Sequence, residues 1–134
     1  MANRIYPKAR EKYLTGQLDW LTDDVVVVLL SSAYEYSDAH EWATSLTGQI
    51  DTSDPMTGKT ATGGVADAND VVFTALTGAN VAGLALVADT GVPGTSALIA
   101  FMDSDTTSVL LDYEPDGSNA RLRWSNGSLR IFRL

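Results

Sequence analysis

The chain has no cysteine and a single histidine among its 134 residues. Without cysteine it can form neither a disulfide framework nor a thiolate nucleophile nor a cysteine-ligated metal cluster. Because His40 is the only histidine, a zinc-peptidase helix with two histidine ligands is excluded by count. We therefore expect no catalytic residue, no metal site and no cofactor, and we interpret His40 as a surface or half-buried polar residue.

Long hydrophobic runs are also missing. The longest uninterrupted apolar run, residues 25–30, is far shorter than the roughly 20 residues that cross a bilayer. The first residues lack the apolar core of a secretory signal, so we expect a protein made in the cytoplasm, with no membrane partner. A chain of this length, 45% of it apolar, is long enough for one domain with a sizeable core.

Positive charge is scarce and, apart from one lysine, lies at the two ends of the chain. Nine Lys and Arg residues oppose 17 Asp and Glu residues, which gives a net charge of −8. Every basic residue precedes position 13 or follows position 120 except Lys59. An acidic surface repels phosphates, so we expect no nucleic-acid partner. The basic ends could pair with the acidic middle, with a neighbouring copy or with an acidic partner surface.

Short apolar runs separated by turn-forming residues predict a mainly β fold. We predict one domain over residues 1–134, an antiparallel β-sandwich or partly open barrel with one or two short helices near the N-terminus. Residues 1–16 are predicted to form a basic N-terminal arm that contains a short helix over residues 7–14, ended by Gly16. Pro7 suits a first helical turn, and one helical face carries Tyr6, Ala9, Arg10 and Tyr13. Ser37 or Asp38 could cap a second, single turn.

The strand predictions follow the remaining apolar runs. Residues 25–31 are apolar on both faces and predict the central strand, whereas the polar residues 46–57 predict an exposed loop. Asn126-Gly127 between two alternating runs predicts a β-hairpin, because both residues tolerate the positive φ of a type I′ turn. Further strands are predicted over residues 59–66, 71–77, 81–89, 96–103 and 108–113.

Several motifs imitate functional sites. Gly58-Lys59-Thr60 resembles the end of a phosphate-binding loop, but Ser53 stands where its first glycine belongs. Residues 112–117 imitate half of a calcium loop, but Arg123 occupies the position that requires Glu. An irregular calcium site stays open as an alternative, with ligands from Asp103, Asp105 or Asp112. The three tryptophans could stack on a carbohydrate, although one per region favours core positions; they are Trp20, Trp42 and Trp124.

The opening of the chain joins a short basic segment, residues 3–14, to Gly16, the pair Asp19-Trp20 and the apolar run 25–30. In this order it resembles a family of small tailed-bacteriophage virion proteins. Segments along nearly the whole length look like the same family: Leu46-Thr47-Gly48, Met56-Thr57-Gly58-Lys59-Thr60, residues 64–78, 83–87, 89–91 and 96–101, Trp124-Ser125-Asn126-Gly127 and residues 131–134.

This resemblance implies a non-enzymatic capsid decoration or cement protein that binds the outside of the expanded phage head and stabilises it. The implied partners are the major capsid protein and further copies of the chain, with a trimer as the expected oligomer. The implied location is the capsid surface of the virion, after synthesis in the bacterial host cytoplasm. The aromatic and arginine content of the N-terminal segment suits an interface, and the expected contact residues are Arg4, Tyr6, Lys8, Arg10, Tyr13 and Trp20. Removing residues 2–14 is then expected to abolish capsid binding and leave the fold intact.

Two alternatives come from other classes. The protein could be a tail or head-to-tail connector subunit, in which residues 25–30 would line a ring. It could also be an adhesion module that binds glycans through its tryptophans and the loop at residues 46–57.

Overall fold

The computed structural model describes residues 4–104, 112–124 and 131–133. Within these ranges the chain is mainly β, with one α-helix near the N-terminus, α1 (Pro7–Leu14), and short 3-10 turns at Ala43–Ser45, Thr62–Gly64 and Pro93–Thr95. The strands are β1 (Arg4–Ile5), β2 (Val25–Leu30), β3 (Gln49–Thr52), β4 (Val65–Ala66), β5 (Val71–Phe73), β6 (Gly83–Ala88), β7 (Ala97–Met102), β8 (Ala120–Leu122) and β9 (Phe132–Arg133). The predicted mainly β class is confirmed.

A five-stranded antiparallel sheet forms the body, in the order β1-β7-β6-β2-β3. Every residue of β2 and of β6 is buried, as expected for strands covered on both faces. The prediction that residues 25–31 form the central strand is wrong by one place, because β6 lies in the middle and β2 beside it. Two small antiparallel pairs complete the fold, β4 with β9 and β5 with β8.

Different elements cover the two faces of the sheet. Leu29 and Leu84 are register partners, and they line an apolar cleft of about 400 Å³ together with Phe73 of β5 and Leu122 of β8. Side chains alternate along a strand, so Ala85 and its partner Phe101 point to the opposite face. There the Phe101 ring packs on Tyr34 and Tyr36, with ring centroids 5.3 and 5.7 Å apart. The sheet is therefore sandwiched between the β5–β8 pair and an aromatic cluster.

The N-terminal segment is part of this body. Arg4 and Ile5 pair with Phe101 and Ala100, and the Tyr6 amide donates to the Ile99 carbonyl at 3.0 Å. Helix α1 follows, packs on β7 and buries Ala9 and Lys12. The picture of a separable arm is therefore corrected, and deleting residues 2–14 would remove an edge strand and part of the core.

The helix predictions meet two different outcomes. Helix α1 spans the predicted residues and ends before Gly16, whose φ of +77° is the left-handed conformation that glycine adopts at low cost. Ser37 caps a single turn, as predicted, because its hydroxyl accepts from the Ala39 amide at 3.2 Å, but this turn does not become a helix. The amide of His40 donates to the Ser37 carbonyl at 3.1 Å in a turn, and the 3-10 turn lies later, at Ala43–Ser45.

The prediction of an exposed loop at residues 46–57 is also wrong. Strand β3 lies within it, and beyond β3 the chain still follows β2, because the amides of Ser53 and Met56 donate to the carbonyls of Val27 and Val25. The Ser53 hydroxyl accepts a hydrogen bond from the Val27 amide at 2.9 Å. A side chain therefore replaces a strand partner at this point.

The remaining strands are shorter than predicted. Residues 59–66 contribute only β4, and β5 ends at Phe73, shortly before Ala75 with its positive φ of 50°. Strands β6 and β7 lie within their predicted ranges. Most of the strand predicted at residues 108–113 and the Asn126-Gly127 turn lie outside the described residues. The described flanks of that turn, β8 and β9, pair with β5 and β4.

Candidate functional site

The six residues predicted to contact a partner divide into an exposed and a buried group. Three basic side chains are exposed, and Tyr13 is half-buried. Tyr6 and Trp20 are buried, with 0% and 6% of their surface exposed. In this conformation both side chains belong to the protein's own core, and the expectation that they contact a partner stays a prediction. The exposed candidates are Arg4, Lys8 and Arg10.

Tyr6 begins a buried chain of hydrogen bonds. Its hydroxyl oxygen lies 2.6 Å from that of Tyr34, which in turn lies 2.8 Å from Nδ1 of His40. Burial, followed by the hydrogen bond to Tyr34, raises the pKa of Tyr6 far above its ordinary value. The only histidine of the chain is thus a half-buried polar residue, as predicted, engaged with a tyrosine.

Arg4 lies beside this cluster. Its guanidinium carbon is 4.6 Å from the centroid of the Tyr36 ring, within the range of a cation–π contact. The Tyr36 hydroxyl donates to a carboxylate oxygen of Asp38 at 2.7 Å. Burial and this hydrogen bond raise the pKa of Tyr36 to about 12. Arg4 is thereby oriented by an aromatic ring at the edge of the sheet.

Lys12 is a buried charged residue that the sequence pattern did not predict. It is buried, its ammonium donates to Glu41 Oε2 at 2.7 Å, and it lies 4.5 Å from the centroid of the Trp42 ring. Its place three residues after Ala9 on the inner face of α1 was the available signal. A lysine at that position is predicted to be exposed unless its partners, which are distant in the sequence, are known.

Trp20 and Lys59 have structural roles. The Trp20 indole donates to the Thr60 carbonyl at 2.9 Å and packs edge-on against Phe132, with centroids 5.2 Å apart. Tyr13 also packs against Phe132, with ring centroids 6.4 Å apart, and burial raises the pKa of Tyr13 well above the ordinary value.

The Lys59 ammonium donates to the Asp23 carbonyl. The Gly58-Lys59-Thr60 motif therefore helps to close the core.

The outer face of α1 presents the candidate interface, which we call the N-terminal surface: Lys8, Arg10 and Leu14. Lys8 pairs with Glu11 at 3.3 Å in an exposed contact of the kind that contributes little stability. Arg10 makes no side-chain hydrogen bond or ion pair to the described residues. Leu14 is 88% exposed. This surface can offer a guanidinium and an apolar side chain to an acidic partner.

In the segment that imitates a calcium loop, residues 112–117, two carboxylates accept hydrogen bonds from residues of the fold. Asp112 accepts from the side-chain amide of Asn80 at 3.1 Å. Asp116 accepts from the hydroxyl and the backbone amide of Ser118, and these two bonds hold the pKa of that carboxyl below its usual range. Asp105 lies outside the described residues. Across the described ranges no group of three metal-ligating side chains is placed to hold an ion.

The tryptophans do not form a common platform. Trp124 is buried and donates to the Asn69 carbonyl at 3.1 Å, and Trp20 is buried beside Phe132. This confirms the core interpretation for both residues. Among the three tryptophans Trp42 alone is half-exposed; it lies beside Lys12 and lines a cleft of about 240 Å³ that has both polar and apolar residues.

Comparison with known proteins gives no family assignment: no protein-family model matches the chain, and no curated protein is similar enough in sequence to count as a relative. In the part of the chain that the structure describes, no helix is long and apolar enough to cross a membrane.

Proposed function

We propose that this protein is a non-enzymatic structural component of a tailed-bacteriophage virion, a decoration or cement protein that binds the major capsid protein on the outside of the expanded head. It acts as a homo-oligomer, with a trimer as the expected form. The N-terminal surface is the observation that carries the proposal. It places Arg10 and the exposed Leu14 on a helix whose opposite face is anchored to the sheet.

A cement protein has to bind without a large cost of ordering. Helix α1 meets this requirement because Ala9 and Lys12 fix its inner face, so Arg10 and Leu14 are held in place before a partner arrives. Pre-organisation of this kind lowers the entropic cost of association. Each contact can be modest, because many copies on one head add their effects.

Charge also favours this surface as the contact. The chain carries a net charge of −8, so an acidic capsid patch would repel most of its body and attract only the basic ends. Arginine at the centre of an interface, beside a desolvated apolar side chain, is a frequent source of binding energy. We expect Arg10 and Leu14 to supply much of the affinity.

The test adds purified protein to expanded, undecorated heads of its own phage and images the particles by cryo-electron microscopy. The wild type should give ordered density at symmetric positions of the head lattice and heads that resist heating. The double variant Arg10→Glu with Leu14→Ser should keep the fold and lose this density. The matched control is Val92→Ser, which removes an exposed apolar side chain elsewhere and should bind as the wild type does.

Two outcomes would contradict the proposal in different ways. Wild-type density with the double variant would show that the head is bound through another surface. Bare heads, with the protein found in tails or at the portal vertex, would reject decoration and favour the connector or tail alternative.

A further inference from the structure

The cleft of about 240 Å³ beside Trp42 has a mixed polar and apolar lining and lies where the end of β6 meets the start of β7. Its floor is small, because Ala88 and Ala97 face each other across the two strands and both are buried. Trp42 and the stem of Lys12 form one wall. The cleft is smaller than the roughly 300 Å³ at which drug-sized pockets begin, so it has room for a single small ring.

The wall formed by Lys12 and Trp42 is held by three contacts within the fold. The Lys12 ammonium is held by Glu41 at 2.7 Å and by the Trp42 ring at 4.5 Å, and Trp42 itself pairs with Ala97 in an isolated bridge. The loop after β6 is fixed as well, because the hydroxyls of Thr90 and Thr95 lie 2.6 Å apart. A ligand would therefore meet a site that is already formed.

Several polar side chains around the cleft have donors or acceptors that make no hydrogen bond to the described residues. Asp23 uses Oδ2 to accept from the Asp19 amide, and Asp89 uses Oδ1 to accept from the Gly91 amide. The second oxygen of each carboxylate makes no hydrogen bond to the described residues. The Lys12 ammonium has three N–H donors, and one of them bonds to Glu41. The side-chain amide nitrogen of Gln17 donates to the Thr15 hydroxyl, which leaves the side-chain carbonyl oxygen of Gln17 as an acceptor.

A ligand for this cleft has to satisfy several acceptors and at least one donor, and it has to lie against an indole. A nucleotide or another anion fails, because two carboxylates flank the space. A pyranose ring fits, since each of its hydroxyls both donates and accepts and its C–H groups are apolar. We propose that this cleft binds one sugar unit of a glycan, with Trp42 as the apolar wall and Asp23 and Asp89 as hydroxyl acceptors. The proposal goes beyond the decoration role and does not depend on it.

The test is a nuclear magnetic resonance titration of the full ¹⁵N-labelled chain with four methyl pyranosides: glucoside, galactoside, mannoside and N-acetylglucosaminide. Binding by at least one, saturating in the millimolar range, should shift the indole N–H resonance of Trp42. The resonances of Trp20 and Trp124 serve as internal controls, because both indoles are bonded to carbonyls in the core. They should not move.

A variant then separates the cleft from unspecific contact. Asp89→Asn keeps the acceptor for the Gly91 amide and replaces the second carboxylate oxygen, so the fold should persist. It should weaken the binding of the responding glycoside about tenfold, the loss expected for one hydrogen bond to a charged group. Asp54→Asn, an exposed carboxylate that does not line the cleft, is the matched control.

Three results would overturn the proposal. One is no Trp42 shift with any of the four glycosides; another is unchanged affinity in Asp89→Asn. The third is a response of Asp23 and Asp89 to calcium chloride alone with no response to glycosides, which would assign the carboxylates to a cation.

Discussion

The hydroxyl oxygens of Tyr6 and Tyr34 lie 2.6 Å apart and connect the exit of β1 to the exit of β2. The chain continues to Nδ1 of His40, which accepts from Tyr34 when the imidazole is neutral and carries its proton on Nε2. Tyr6 then donates to Tyr34, so the hydroxyl hydrogens of both tyrosines have an acceptor. The bond ties a two-residue edge strand to the interior of the fold.

Removing the middle of this chain should destabilise the protein. Tyr34→Phe leaves the fully buried Tyr6 hydroxyl without its partner, and a buried unsatisfied polar group costs about 1–3 kcal/mol. We expect the free energy of unfolding in urea to fall by that amount. Tyr113→Phe, at an exposed tyrosine, is the control and should change it little. Equal stabilities of the two variants would show that the Tyr6–Tyr34 bond contributes nothing.

Stability should fall at alkaline pH, beginning near the ordinary tyrosine pKa of about 10. Burial raises the pKa of Tyr6 above its usual range, and burial with the Asp38 hydrogen bond raises that of Tyr36 to about 12. Above the unfolded-state pKa, the unfolded chain has released protons that the folded chain retains, so rising pH favours unfolding.

The measurement is a series of urea titrations from neutral pH upward. Tyr6→Phe should reduce the steepness of the alkaline loss, because it removes a buried hydroxyl whose pKa is raised. A free energy of unfolding that stays level across the tyrosine range would contradict this prediction.

Gly83 should not tolerate a side chain. A Cβ at this position would lie 2.9 Å from Cε1 of Phe101 and 3.1 Å from the Met102 carbonyl oxygen. Gly83→Ala therefore overpacks the sheet against the aromatic cluster, at a cost of about 1–3 kcal/mol. Gly94→Ala, where a Cβ meets nothing within 4 Å, is the matched control. Thermal unfolding of both variants checks this, and a wild-type midpoint for Gly83→Ala would contradict the packing argument.

Deleting residues 2–14 should unfold the protein or lower its thermal midpoint strongly. The deletion removes β1 from the edge of the sheet and takes Tyr6 and Ala9, both fully buried, out of the core. Large losses of buried contacts are the usual origin of severe destabilisation. Circular dichroism melts should show this, with the Arg10→Glu and Leu14→Ser double variant close to wild type. A truncated chain that melts cooperatively at the wild-type temperature would restore the idea of a separable arm.

Much of the main sheet follows from local sequence. The apolar runs that form β2, β6 and β7 are long enough to predict strands, and their burial on both faces follows from apolar residues at successive positions. Helix α1 follows from Pro7 and the spacing of its inner face. These elements were predictable because their signals lie within one segment each.

The edges and the sites were decided by tertiary structure. Strand β3 is mostly polar, and it forms because β2 offers hydrogen-bonding partners 19 to 24 positions earlier in the chain. Lys8 and Arg10 of the predicted interface are exposed on α1, whereas the Tyr6 side chain enters the core, where its hydroxyl meets that of Tyr34.

Lys12 shows the same limit at a single residue. The sequence by itself determined that this protein would be an acidic, mainly β domain with a short basic helix at its start. Only the tertiary structure placed Glu41 and Trp42 against Lys12 and Ala97 beneath the cleft. A buried lysine needs a carboxylate close by, because burial of an uncompensated charge is costly. The partner of Lys12 comes from a distant segment of the sequence, so no local pattern could predict this pair.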